Sequence, residues 1–255
     1  MGLTYQSTGK SALDNFSLGH TAQDSFVIAL AGNPNVGKST VFNALTGLRQ
    51  HTGNWPGKTV TNARGSFTHN GKKFSLVDLP GTYSLFAHSA EEEVARDFIC
   101  FGKPHATIVV ADATCLERNL NLALQVIEIT SQVVVCVNLI DEAERKNIRV
   151  NIKILAEELG VPVIATAARA GRGLDDLRQT IYQLATEQIQ PSPKRILYPR
   201  EIEEAVTELQ REFKHIPDID PRWVALRMLD GDKSLIASMQ KYLAPCGWGT
   251  TLTAQ

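Results

Sequence analysis

The run Gly32-Asn33-Pro34-Asn35-Val36-Gly37-Lys38-Ser39 constrains this chain more than any other stretch. An apolar segment, Phe26 to Ala31, precedes it, and Thr40 to Leu45 follows, with Val41, Ala44 and Leu45 at helical spacing. The local order is therefore strand, loop, helix, and the spacing G-x-x-x-x-G-K-[ST] is that of a phosphate-cradling loop. Its glycines let backbone N–H groups converge on an anion, and the following helix adds its positive end. The eight loop residues and Thr40 are candidate nucleotide contacts. Lys38 is expected to reach the β- and γ-phosphates, and Ser39 to offer its hydroxyl to Mg²⁺. Gly9-Lys10-Ser11 imitates the end of this loop, but no strand or upstream glycine supports it, and it is read as a decoy.

A length of 255 residues allows one large domain, or a medium one with an appendage. The net charge of −1 gives no electrostatic reason to expect nucleic acid or an anionic membrane as partner. Cys100, Cys115, Cys136 and Cys246 lack C-x-x-C spacing, which suits free thiols in a reducing compartment. No apolar run approaches the ~20 residues that cross a bilayer. Met1-Gly2 is followed by Gln6 where a myristoylation motif wants Ser or Thr. The chain as given is expected to be cytoplasmic.

Composition and period divide the chain into a polar leader over 1–24, a nucleotide-binding domain over 25–188, a linker over 189–194 containing Pro191 and Pro193, a helical appendage over 195–244 and a tail over 245–255. Thr61 to His69 and Lys72 to Val77 flank Asn70-Gly71, a strong hairpin signal. Apolar strands at Thr107–Ala111, Val133–Val137 and Val161–Ala165 then alternate with helical patterns at Asn119–Ile129, Val150–Leu159 and Leu174–Ala185. The expected fold class is α/β: a mostly parallel six-stranded sheet with helices on both faces and the hairpin strand at one edge. Gly47 to Lys58 fits neither period and is a candidate switch loop. In the appendage, Asp220-Pro221 reads as a helix cap followed by a first-turn proline.

Two further motifs follow the phosphate loop in order. Asp78-Leu79-Pro80-Gly81 ends a strand, which would put the Asp78 carboxylate near Mg²⁺, through water, and the Gly81 N–H near the γ-phosphate. The Gly81 contact exists only in the triphosphate state, so it can order or release the next segment. Asn138-Leu139-Ile140-Asp141 ends another strand. The Asp141 carboxylate can accept from guanine N1–H and its exocyclic amine, a pair adenine does not offer, and mismatching a buried carboxylate is costly. Thr166-Ala167-Ala168-Arg169, after the last strand, is the natural place for backbone N–H to meet guanine O6.

These ordered motifs are those of a GTPase-type domain. More specifically, the phosphate loop, G-N-W-P-G-K-T-V at Gly53 to Val60, D-L-P-G-T-Y-S-L at Asp78 to Leu85 and E-E-V-A-R-D-F at Glu92 to Phe98 resemble the N-terminal cytoplasmic domain of the bacterial ferrous-iron transporter family, FeoB. The resemblance covers roughly residues 26–244, because R-W-V-A-L from Arg222 and L-D-G-D from Leu229 are similar to the family's helical domain, which strengthens GDP binding there. It implies a P-loop GTPase fold, GTP and GDP as substrate and product, and a place at the cytoplasmic face of the inner membrane beside the transporter's own membrane portion. By position it makes Thr59 the switch threonine that completes Mg²⁺ coordination, and Asn35 the asparagine that ligates K⁺ beside the phosphates. Asn35, Lys38, Thr59 and Gly81 are then the catalytic candidates, and Ser39, Thr59 and Asp78 the Mg²⁺ set. Residue 82 is Thr rather than the glutamine that orients water in Ras-like proteins, so slow intrinsic turnover is expected. Ala167 stands where many relatives have Ser, which removes a hydroxyl that stabilises the last guanine loop.

Two other readings stay open. A soluble RNA-associated GTPase shares the Asn-bearing loop but needs a basic surface, and Arg195 to Lys241 holds eight Lys or Arg against nine Asp or Glu. A nucleotide-binding adaptor without meaningful hydrolysis is compatible with the missing glutamine. The expected partners are a guanine nucleotide and the membrane portion, not nucleic acid, with assembly into a homo-oligomer left open.

Overall fold

The computed structural model describes residues 25–47, 50–55, 58–86, 88–213 and 219–243. The leader, the tail, the decoy Gly9-Lys10-Ser11, Cys246, and Pro56 and Gly57 of the switch loop lie outside the described residues.

Three strands, β1 (Ser25–Gly32), β5 (Ala106–Asp112) and β6 (Val133–Asn138), are nearly continuous apolar runs, as strands covered on both faces must be. They pair in parallel, with β4 (Lys72–Asp78) on one flank and β7 (Val163–Ala165) on the other. Alternation along each strand divides the side chains. Val27, Ala29, Val109 and Val135 join Phe98 and Leu122 on one face, while Ile28, Leu30, Ile108 and Val134 join Phe42 and Ile181 on the other. The first face is covered by α2 (Ala90–Phe101) and α3 (Leu116–Ile129), the second by α1 (Lys38–Thr46) and α6 (Leu174–Ala185).

With β2 (Gln50–Asn54) and β3 (Thr61–His69) the sheet has seven strands in the order β2-β3-β4-β1-β5-β6-β7, one more than the sequence predicts. The hairpin forms as expected: Asn70 and Gly71 have φ of 48° and 71°, and β3 (Thr61–His69) pairs antiparallel with β4. Its β3 is not the edge, however. Gln50–Asn54, inside the stretch read as irregular, forms β2 and pairs antiparallel with β3. Residues 51–54 are all exposed, so no apolar alternation marks the strand, and backbone pairing alone defines it.

Two shorter helices, α4 (Ile140–Arg145) and α5 (Ile152–Leu159), complete the sheet's cover. After α6, residues 189–199 have no regular structure. Helices α7 (Arg200–Phe213), α8 (Pro221–Leu229) and α9 (Lys233–Leu243) follow. Asp220 caps α8 by accepting the Arg222 N–H, with Pro221 in the first turn. Val206, Phe213, Trp223, Val224, Leu235 and Met239 are buried in the same cluster as Val94 and Phe98 of α2, so the helices share a core with one face of the sheet. At that seam Arg96, fully buried, donates all five guanidinium N–H bonds: two to Asp97, and one each to Asp232 at 3.1 Å, Ser234 at 2.7 Å and Ser238 at 3.0 Å. Among the described residues no helix is long and apolar enough to cross a membrane.

Candidate functional site

The chain leaves β1 toward β2, β3 and β4 on one side, then returns to build β5, β6 and β7 on the other. A crevice therefore opens at the carboxyl end of β1, where open α/β sheets bind ligands. The motif residues at strand ends gather there: Gly32 ending β1, Asp78 ending β4, Asn138 ending β6 and Thr166 after β7.

The loop between β1 and α1 is shaped by two glycines. A Cβ on Gly32 would lie 2.9 Å from the Val110 carbonyl oxygen, and Gly37 has φ +80° with no room beside the Asn138 amide. Asn35 also sits in the left-handed region, at φ 68°, which its short polar side chain tolerates. Lys38 opens α1 and reaches across to β4, donating to the Asp78 carboxylate and, at 2.7 Å, to the Leu79 carbonyl. Burial pushes the Asp78 carboxyl up, and the Lys38 ammonium opposes that rise. Ser39 and Thr40 are exposed at the start of the helix. Gly81 lies against Pro34, and the Thr82 N–H donates to the Gly32 carbonyl at 3.3 Å, so the segment after Asp78 lines the loop.

At the other end of the crevice, Asn138 is buried and bridges three segments. Its Nδ2 donates to the Val36 carbonyl at 3.1 Å, and its Oδ1 accepts from the Thr166 hydroxyl and the Ala168 N–H, both at 3.1 Å. Of the stretch expected to offer an N–H to guanine O6, the Ala168 N–H thus already serves Asn138, and the Thr166 N–H serves the Val137 carbonyl. Leu139 takes φ 62°, and this left-handed step starts α4 so that Asp141, partly exposed, falls in its first turn. Ala167 is buried, and its N–H donates to the Arg172 carbonyl. The Cys136 thiol, pushed up to about 12 by burial, stays protonated and lies 3.2 Å from the Thr166 hydroxyl, extending the Asn138 network into β6.

Among the described residues, Thr59 makes no hydrogen bond with these groups. It is exposed on a segment pinned elsewhere: the Trp55 ring packs edge-on against Phe98 with centroids 5.4 Å apart, Trp55 N–H donates to the Val60 carbonyl, and Lys58 pairs with Glu93 of α2. The Asn35 side chain is likewise exposed. Sequence reasoning did not find Arg96, Lys58 or Glu93 as links among these parts. The available signal was an Arg-Asp pair inside the apolar run V-A-R-D-F-I-C-F, which an exposed helix face would not place there.

Comparison with known proteins agrees with this geometry. Residues 26–181 match the family model described as Ferrous iron transport protein B, and residues 198–245 match that of the FeoB cytosolic helical domain. The Fe(2+) transporters FeoB of Escherichia coli (strain K12) and Shigella flexneri are each 40% identical over 210 residues, 80% of this chain and 27% of theirs. The chain therefore spans about a quarter of the length of these curated relatives. Among solved structures, the cytosolic domain of the T. maritima FeoB iron transporter in GDP form II is 35% identical with a TM-score of 0.79, over 85% of this chain and 86% of that one. Its GMPPNP form is 36% identical with a TM-score of 0.76, over 84% and 85%. The fold is that of a P-loop GTPase followed by the helical domain of these relatives.

Proposed function

The chain belongs to the ferrous iron transport protein B family, and from that premise we propose that it is a guanine-nucleotide switch that hydrolyses GTP at the cytoplasmic face of the bacterial inner membrane and governs the membrane portion of a ferrous-iron transporter. The observation that carries the nucleotide reading is the Asn138 amide, which ties the phosphate loop at Val36 to the last loop at Thr166 and Ala168. Base and phosphate subsites are thereby one unit. The GDP and GMPPNP forms of the T. maritima domain support the same ligand class here. The iron link rests on family membership.

In this reading the loop N–H groups and the start of α1 cradle the phosphates, and Lys38 exchanges the Asp78 carboxylate and Leu79 carbonyl for phosphate oxygens. That exchange frees the Asp78 carboxylate. With the exposed Ser39 hydroxyl it forms a set of hard oxygen donors that suits Mg²⁺. Thr59 joins that set only after its segment leaves Phe98 and Glu93. The exposed Asn35 carboxamide offers one oxygen suited to K⁺ beside the phosphates. Bound there, the two cations supply positive charge against the charge that develops on the transferred phosphoryl group. Asp141 accepts from the guanine edge, and Gly81, held against Pro34, presents its N–H to the γ-phosphate. Water attacks the γ-phosphorus, the bond to the bridging oxygen breaks, and GDP and phosphate leave. Thr82 is buried and replaces the water-orienting glutamine, so the unaided rate is slow. The boundary between the nucleotide unit and the helical unit at 189–194 belongs to the same proposal, supported by the lack of regular structure over 189–199.

The test is GTP hydrolysis in KCl and NaCl at matched ionic strength and Mg²⁺. Stimulation by K⁺ that is lost in Asn35→Ala supports the mechanism. Equal rates in both salts remove Asn35 from it.

A further inference from the structure

Asn33 is 2% exposed, yet neither Nδ2 nor Oδ1 of its amide has a hydrogen-bond partner among the described residues. Since both atoms are unpartnered, flipping the amide changes nothing. A buried amide in this condition is uncommon, because losing water without replacing it is costly, and such a group in a folded protein calls for a reason. Its surroundings supply one. The residues on either side of Asn33 both touch the segment that follows Asp78: the Gly32 carbonyl accepts the Thr82 N–H at a long 3.3 Å, and Pro34 packs on Gly81. Asn33 therefore sits at the junction between the phosphate loop and the stretch whose position depends on the γ-phosphate.

We propose that Asn33 is a positioning residue for GTP hydrolysis, whose amide receives the backbone of residues 81–84 when the γ-phosphate engages Gly81. The inference rests on the reading that Gly81 senses that phosphate. With Thr82 in place of a water-orienting glutamine, the chain depends on the placement of this backbone rather than on a side chain there. An amide idle in one state and bonded in the other favours the triphosphate state without altering the contacts that GDP makes.

The variants are Asn33→Leu, close in volume and apolar, and Asn33→Ala. Affinities for GDP and GMPPNP, single-turnover GTP hydrolysis, thermal unfolding without nucleotide, and chymotrypsin cleavage after Tyr83 and Phe86 are the readouts. Both of these side chains are exposed. Because either replacement keeps the backbone N–H by which residue 33 belongs to the phosphate cradle, the expected result is GDP affinity within about twofold of wild type, GMPPNP affinity and hydrolysis each down about tenfold, and an unfolding temperature that does not fall. The protection that GMPPNP gives residues 83 and 86 in the wild type should also disappear. Equal losses for both nucleotides would make Asn33 part of the common phosphate cradle and overturn the proposal. A fall in unfolding temperature with the GDP/GMPPNP ratio unchanged would mean the amide is satisfied internally, through a buried water, and would also overturn it. If wild type shows no GMPPNP-specific protection, the Gly81 reading fails and takes this inference with it. If wild type shows the contrast and both variants keep it, Asn33 alone is refuted.

Discussion

Replacing Arg96 with lysine should loosen the helical unit from the sheet while leaving the charge in place. The guanidinium uses every donor it has, on two carboxylates and two serine hydroxyls, and Ser238 in turn donates to the second oxygen of Asp97 at 2.8 Å. Three of these partners, Asp232, Ser234 and Ser238, lie in or just before α9, so the network is a polar clasp within a seam that apolar contacts also fill. Lysine has three donors on a compact ammonium and cannot reproduce a planar fork. At least two of the five bonds are lost, at about 1 kcal/mol each because Asp232, Ser234 and Ser238 are only partly buried. Alanine removes the cation and leaves Asp97 and Asp232 facing one another, which costs on the order of 3–5 kcal/mol. For a chain of this size each kcal/mol moves the unfolding temperature by about 2–4 °C. Differential scanning calorimetry should therefore show Arg96→Ala lowered by about 6–20 °C, or a separate early transition as α7, α8 and α9 undock, with Arg96→Lys in between. Trypsin should cut the 189–199 stretch faster in the same order. A lysine variant indistinguishable from wild type in both assays would refute the argument that five-donor geometry, rather than charge, holds the seam.

The helical unit should also carry an acid-sensitive contact. Arg222 grips Glu203 with two bonds of 2.6 and 2.7 Å, holding its carboxyl down to about 2 from 4.5. A folded pKa below the unfolded one stabilises at pH values above 4.5, and the benefit fades as pH falls toward 2. The gap in unfolding temperature between wild type and Glu203→Gln should close over that window, and a gap that persists at pH 2 would contradict the pairing. Binding of GMPPNP with Mg²⁺, by drawing Thr59 toward the phosphates, should pull Trp55 from Phe98 and shift its emission to the red in a background where Trp223 and Trp248 are replaced by phenylalanine. GDP should leave that emission unchanged, and identical spectra with the two nucleotides would show that the segment does not move with nucleotide state.

Much of the sheet was legible because its strands are buried on both faces, where a run such as Val133 to Val137 has few alternatives. The Asn70-Gly71 hairpin was legible because two positive φ angles leave little else that suits that pair. Strand β2 was not, since Gln50–Asn54 is polar on both sides and owes its form to pairing with β3. The candidate site was readable as motifs because phosphate loops need glycine at fixed places, as the Val110 carbonyl against Gly32 illustrates. What spacing could not reveal was which groups already hold one another: Lys38 on Asp78, Ala168 on Asn138, Lys58 on Glu93. Those partners are 30 to 40 residues apart in the chain, and only the folded sheet brings them together.

Guanine recognition by Asp141 is the claim on which the rest depends, and a base-swap titration tests it most directly. Affinities of the wild-type chain and of Asp141→Asn would be measured for GDP, ADP and xanthosine diphosphate. A carboxylate that accepts from N1–H and the exocyclic amine should bind GDP about 10³- to 10⁴-fold more tightly than the other two. The asparagine variant, able to donate to the 2-oxo group, should turn that preference toward xanthosine diphosphate. A wild-type chain that binds ADP as well as GDP, or a variant that keeps its GDP affinity, would contradict the assignment.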